Sequence, residues 1–157
     1  MNGETLALAL EREHREIDEG IDAFTTSPER GPVETEGLTR AIEALRRHIY
    51  LEEEILFPPL REAGLVMPVF VMLREHGEMW QLLDALEAEV AKDSTSDAVT
   101  SLIDGLVPRL EAHNEKEEAI LYPPSDTVLE GPAAEQLKAF LATGRMPEGW
   151  VCERARA

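Results

Sequence analysis

The chain has 157 residues, room for one domain, and 43% of them are hydrophobic, enough for a core. Thirty-two acidic residues against 15 Lys and Arg leave a formal net charge of −17, which argues against binding nucleic acid or docking on an anionic membrane surface. The single cysteine, Cys152, excludes an internal disulfide and any Cys-cluster metal site.

A first helix is expected from about Gly3 to Phe24, followed by a polar loop, Thr25 to Pro32. A second helix runs from about Glu34 and is expected to stop at Pro58-Pro59, since proline lacks a backbone donor and clashes with the preceding turn. Gly64 and Pro68 bracket the next turn, and a third helix reaches about Lys92. Asp93 to Ser96 offers N-cap residues for a fourth helix, expected to stop at Pro123-Pro124, with a kink or a break at Pro108. A short fifth helix, about Pro132 to Thr143, leads into a tail, Gly144 to Ala157. No period-2 apolar stretch suggests a strand. The longest apolar run, Leu65 to Leu73, is far short of the roughly 20 residues that span a bilayer. The N-terminus lacks the basic start of a secretory signal. A soluble cytoplasmic protein is the expectation.

Apolar residues recur in steps of three and four: Leu6, Leu10, Ile17, Ile21 and Phe24; Leu38, Ile42, Leu45 and Ile55; Val69, Met72, Met79 or Trp80, Leu83, Leu86 and Val90; Ile103, Leu106, Leu110 and Ile120. Such stripes are the buried faces of helices. Four of them with short connections predict an all-α, up-down-up-down four-helix bundle over 1–125, with a short helix and tail, 126–157, packed on it or trailing. Positions skipped in the stripes hold His14, His48, Glu52, His76, His113 and Glu117. All four histidines of the chain are therefore on core faces, one per helix.

The chain also repeats itself. His48-Ile-Tyr-Leu-Glu52-Glu53-Glu54-Ile55-Leu56-Phe57-Pro58-Pro59 recurs as His113-Asn-Glu-Lys-Glu117-Glu118-Ala119-Ile120-Leu121-Tyr122-Pro123-Pro124, and Arg12-Glu13-His14 aligns with Arg74-Glu75-His76. A helical hairpin used twice would face two similar sets of donors, each with a lone His and a His-x-x-x-Glu pair. Residues four apart on a helix point within about 40° of each other. Buried carboxylates need compensation, and bound cations supply it. Two His per ion, with Glu52 and Glu117 bridging, give each of two ions four protein ligands. An oxo or hydroxo bridge makes five and leaves one open position apiece on an octahedral metal. Iron fits best, other divalent metals being possible; a structural zinc would close with four ligands and leave two idle.

At these residues the sequence resembles the hemerythrin-like, or HHE cation-binding, family. The resemblance rests on His14 … His48-x-x-x-Glu52 … His76 … His113-x-x-x-Glu117 and on the Ile-Leu-Phe/Tyr-Pro endings, and spans about 1–125. It implies a four-helix bundle with a non-heme di-iron centre, in which His14, His48, His76 and His113 are terminal ligands and Glu52 and Glu117 bridge. The oxygen-carrying hemerythrins have five histidines and a bridging aspartate. Here no fifth histidine exists, and Met72 and Trp80, four residues either side of His76, are apolar. The set looks more like the four-His, two-Glu sites of iron-sulfur-repair di-iron proteins and of eukaryotic iron-sensing hemerythrin domains. Other constellations fail: Glu-x-x-His occurs once, at Glu11 and His14, and no His-Glu-x-x-His, Gly-x-Ser-x-Gly or P-loop is present.

Around the ligands, Glu13, Glu53, Glu75 and Glu118 read as solvated neighbours, with a hydrogen bond to an imidazole the alternative. Trp80 and Tyr50 read as core packing, Leu10, Ile17, Leu45, Met72, Leu110 and Ile120 as the walls that keep the site dry, and Cys152 as a free thiol in the tail. Two function classes share the ligand set. One is a redox protein reacting with O2, peroxide or nitric oxide at open iron positions; the other is a non-catalytic sensor, store or carrier of iron, oxygen or nitric oxide. A metal-free bundle acting in protein association is the third. The redox partner is not legible.

Overall fold

The computed structural model describes residues 4–156, so the expected helix start at Gly3 and the last tail residue, Ala157, lie outside the described residues. The described chain is helical, without strands. Helix α1 (Leu6–Thr26) is capped by the Thr5 hydroxyl, which accepts from the Leu8 N–H at 3.1 Å. Helix α2 (Pro32–Leu51) opens with a proline in its first turn, where no donor is lost. A π turn (Glu52–Leu56) joins it to α3 (Phe57–Glu62). Helix α4 (Val66–Lys92) follows a tight turn, and α5 (Asp97–Lys116) starts at the Ser96 cap. A second π turn (Glu117–Leu121) joins α5 to α6 (Tyr122–Val128), and α7 (Pro132–Thr143) precedes the tail with its 3₁₀ turn, Glu153–Ala155. Helices α1 and α2 pack along each other, as do α4 and α5. The Asp126 carboxylate of α6 accepts from the Leu6 and Ala7 N–H groups and closes the start of α1.

The prolines do not stop the helices, contrary to expectation. In each π turn the hydrogen bond spans five residues, Phe57 N–H to Glu52 O and Tyr122 N–H to Glu117 O. The α pattern then restarts, and Pro58-Pro59 and Pro123-Pro124 fall in a new first turn that has no donors to lose. Pro108 is likewise held inside a continuous α5. The wider turn changes the register of the stripe. Ile120, expected in the core, is 47% exposed, while Leu121 and Tyr122 are buried in its place.

Two apolar clusters form. One contains Ile17, Ile21, Leu45, Met79, Leu83, Leu106 and Leu110. The other contains Leu6, Leu10, Leu51, Leu56, Phe57, Met72, Leu121 and Tyr122. Each such side chain contributes about 1.5–3 kcal/mol on burial. Between the clusters lies a polar layer: His14 falls between Leu10 and Ile17, His76 between Met72 and Met79, His113 between Leu110 and Leu121.

The tail is part of the packing. Trp150 sits edge-on to Tyr50 and Trp80, at ring separations of 5.1 and 5.6 Å. Cys152 is fully buried, and its thiol is pushed up to about 12 by that burial and by the nearby Glu53 carboxylate. It is a core residue and a poor nucleophile. The Arg154 guanidinium lies over Phe70, 4.7 Å from the ring centre. The tail approaches α4 this closely because residue 77 is glycine: a Cβ there would stand 2.8 Å from Arg154 Cβ and 3.2 Å from its backbone carbon. Gly77→Ala is expected to push the tail off α4. Cys152 should then react faster with a thiol reagent under native conditions. An unchanged labelling rate would contradict the packing described.

Candidate metal centre

The six stripe residues meet in the polar layer. His14 comes from α1, His48 from α2, His76 from α4 and His113 from α5, while Glu52 and Glu117 each begin a π turn. None is more than 3% exposed. Their donor atoms form two groups, His14–His48–Glu52–Glu117 and Glu52–His76–His113–Glu117, each with all ligand atoms within 4.8 Å of one another.

The two glutamates belong to both groups, oxygen by oxygen. Glu52 turns Oε2 toward His48 Nε2 at 3.2 Å and Oε1 toward His76 Nε2 at 3.0 Å. Glu117 turns Oε1 toward His14 Nε2 at 3.1 Å and Oε2 toward His113 Nε2 at 3.3 Å. No donor among the described residues makes a hydrogen bond to that buried Glu117 Oε2. A buried carboxylate oxygen that faces two imidazoles without a hydrogen bond is better satisfied by a cation shared among them. Imidazole and carboxylate together suit a first-row transition metal. The residues present thus fit a metal in each group.

Every imidazole is held from behind. Nδ1 of His14 meets Glu118 at 2.7 Å, that of His48 meets Glu13 at 2.9 Å, that of His76 meets Glu53 at 2.7 Å, and that of His113 meets Glu75 at 2.9 Å. The expectation of solvated neighbours is corrected for these four glutamates. Their partners lie on other helices, so spacing along one helix did not reveal them. An Nδ1–H donated to a carboxylate leaves Nε2 as the inward atom and makes it more basic. Arg47 and Lys116 in turn hold Glu13 and Glu75. Glu53 accepts the Glu153 N–H at 2.9 Å, and Glu118 is partly open to water.

Electrostatics follow the geometry. Burial alone would push the His48 imidazole down, but Glu52 and Glu13 outweigh it and hold it at about 10. His113 is likewise held at about 10 against burial by Glu117, Glu75 and Glu52. His76 also lies above its ordinary value, because Glu52 and Glu53 outweigh burial. Glu117 is held well below the carboxylate range: burial opposes this, and His113 and His14 prevail. Glu75 is held at about 2, chiefly by its bond to His113 and by Lys116.

Tyr122 belongs to the site and was not singled out from the sequence. Its fully buried hydroxyl lies 2.6 Å from Glu52 Oε2, 2.8 Å from His14 Nε2, 2.9 Å from His48 Nε2 and 3.1 Å from Glu117 Oε1. Burial and the two carboxylates raise it well above the ordinary phenol value. The available signal was the repeat, which sets Phe57 and Tyr122, both aromatic, at one position. Of the expected walls, Leu10, Ile17, Leu45, Met72 and Leu110 are buried. Trp80 packs as ordinary core and carries the Arg46 guanidinium 4.5 Å above its ring, while Tyr50 is half-buried and rests on Phe140 at 5.4 Å.

Among known families, the one described as the hemerythrin HHE cation binding domain matches residues 5–124 of this chain. No curated protein and no solved structure matches.

The raised histidines fix a pH dependence for the metal-free protein. Between their free value of 6.5 and about 10 the folded chain binds protons that the unfolded chain releases. Their stabilisation is therefore complete below about pH 6.5 and lost as pH rises through about 10. The melting temperature of chelator-stripped protein should fall between about pH 7 and 10. A flat profile there would contradict this charge arrangement.

Proposed function

The chain belongs to the hemerythrin HHE cation-binding family, and from that premise we propose that it is a non-heme di-iron protein acting on O2, peroxide or nitric oxide. The observation that carries the proposal is the pair of buried four-donor groups sharing Glu52 and Glu117. In this reading His14 and His48 would hold one iron and His76 and His113 the other, with Glu52 and Glu117 shared between the two groups. The described residues up to 125 make, in the same reading, an up-down-up-down four-helix bundle, and 126–156 fold back on it. The bound irons would supply redox electrons and a Lewis-acid position for a small ligand.

The chain's own groups do the rest. Glu13, Glu53, Glu75 and Glu118 orient the imidazoles through Nδ1. Leu10, Ile17, Leu45, Met72 and Leu110 keep bulk water out. In the metal-free chain Tyr122 keeps its proton and directs it toward both carboxylates. Burial of all six donors supports a ligand of two or a few atoms rather than a large substrate. The lone buried Cys152 supports a reducing, cytoplasmic setting.

Protein expressed with ample iron should carry two irons per chain. Glu117→Ala should lose the pair and should destabilise the metal-free fold by about 3–5 kcal/mol, because it breaks a buried ion pair. Retained stoichiometry in that variant would refute the bridging role. Glu118→Ala, at the partly exposed end of its bond to His14, should keep the fold and weaken metal binding by about 10–100-fold in a chelator competition. Stopped-flow spectra of the diferrous protein then separate turnover from storage or sensing. Repeated consumption of oxidant indicates an enzyme, and a single oxidation or a reversible adduct indicates a sensor, store or carrier.

A further inference from the structure

The internal repeat relates the two donor groups, but their surroundings differ. Five residues after each bridging glutamate the π turn brings an aromatic ring inward, Phe57 in one half and Tyr122 in the other. The Phe57 ring stacks on His76, 5.6 Å away and 15° from parallel, and offers no polar atom. The Tyr122 hydroxyl stands 2.6–3.1 Å from Glu52 Oε2, His14 Nε2, His48 Nε2 and Glu117 Oε1. Those four atoms are the whole donor complement of the first group. Among the described residues no hydroxyl is hydrogen-bonded to the donor atoms of the second group (Glu52 Oε1, His76 Nε2, His113 Nε2 and Glu117 Oε2), and Glu117 Oε2 there accepts no hydrogen bond.

Geometry says what such a spacing means. Each vertex of an octahedron has four nearest vertices, and with metal–donor bonds of about 2.1 Å their separation is about 3 Å. The Tyr122 oxygen already keeps that distance from all four donors at once. A hydroxyl placed only to satisfy one buried carboxylate would need one of these neighbours. Resting on the di-iron reading above, we propose that Tyr122 is a further protein ligand, bound as a phenolate to the His14–His48 metal alone. The position open to an outside molecule is then confined to the His76–His113 metal. On binding, the O–H bond breaks as the oxygen–metal bond forms, the proton leaves to solvent, and no electron changes hands. The expectation of one open position on each metal gives way to an unequal pair.

The test compares iron-loaded wild type with Tyr122→Phe, measuring iron per chain, the visible spectrum and resonance Raman scattering. Phenylalanine fills the matching place in the other half, so the variant removes an oxygen and keeps the shape. Wild type should show a phenolate-to-ferric charge-transfer band, with tyrosine ring vibrations enhanced on excitation in it. Tyr122→Phe should keep two irons and lose both signals. Tyr50→Phe, the other tyrosine of the chain, should keep both. Azide should bind once per chain in wild type and twice in Tyr122→Phe. Two irons without tyrosine enhancement in wild type, a band that survives Tyr122→Phe, or two azides on wild type would overturn the proposal. If Tyr122→Phe does not fold, the wild-type Raman spectrum decides alone. A wild type that takes up no iron defeats the di-iron reading and this proposal with it, so the iron count tells the two failures apart.

Discussion

Carboxylates and imidazoles in the middle of an apolar bundle are tolerable only if each charge meets a partner, and that requirement organises this molecule. Two glutamates and four histidines form the inner layer, and four more glutamates close on the outer nitrogens. Arg47, Lys116 and a tail N–H answer three of those four, and water reaches the last. The alternation of sign runs outward from the centre to the surface, so little buried charge is left uncompensated. One oxygen of Glu117 accepts no hydrogen bond and is met only by the second pair of imidazoles, 3.3 and 4.0 Å away. The apolar core is cut in two by this layer, and each half packs against one side of it.

The inner layer was legible because α-helical spacing is rigid. His48 and Glu52, like His113 and Glu117, stand four apart, and the lone histidines sit in unbroken stripes. Legibility ended where the helix changed its hydrogen bonding. Beyond Glu52 and Glu117 a turn of five residues replaces one of four, so Ile120 swings outward while Leu121 and Tyr122 come inward. The same turn reads as a helix end because prolines follow it. The outer glutamates read as solvated for another reason. Glu13 serves His48 rather than its neighbour His14, and Glu75 serves His113. A contact between helices leaves no trace in the spacing along either. The tail has no periodicity at all, so the burial of Cys152 could not be read from it.

Duplication supplies symmetry, and single residues withdraw it. Tyrosine replaces phenylalanine at one matching position, and the tail lies across α2 and α4 and covers one carboxylate of a matching pair. Glu53 is buried under the tail while Glu118, its counterpart, is 37% exposed. Two histidines equivalent in the repeat, His76 and His14, therefore lean on carboxylates in different dielectric surroundings.

The C-terminal segment touches this machinery twice. The Glu153 N–H holds Glu53, which holds His76. Arg47 grips the carbonyl oxygens of Phe140, Leu141 and Gly144 at the end of α7, and with its other arm holds Glu13, which holds His48. Thermodynamic reciprocity makes the coupling run both ways. Whatever grip the inner layer gains on a cation from the seated segment, the segment gains in adhesion when that cation arrives. By the same reciprocity, an inner layer without a cation would hold residues 144–156 less firmly than one that has bound it.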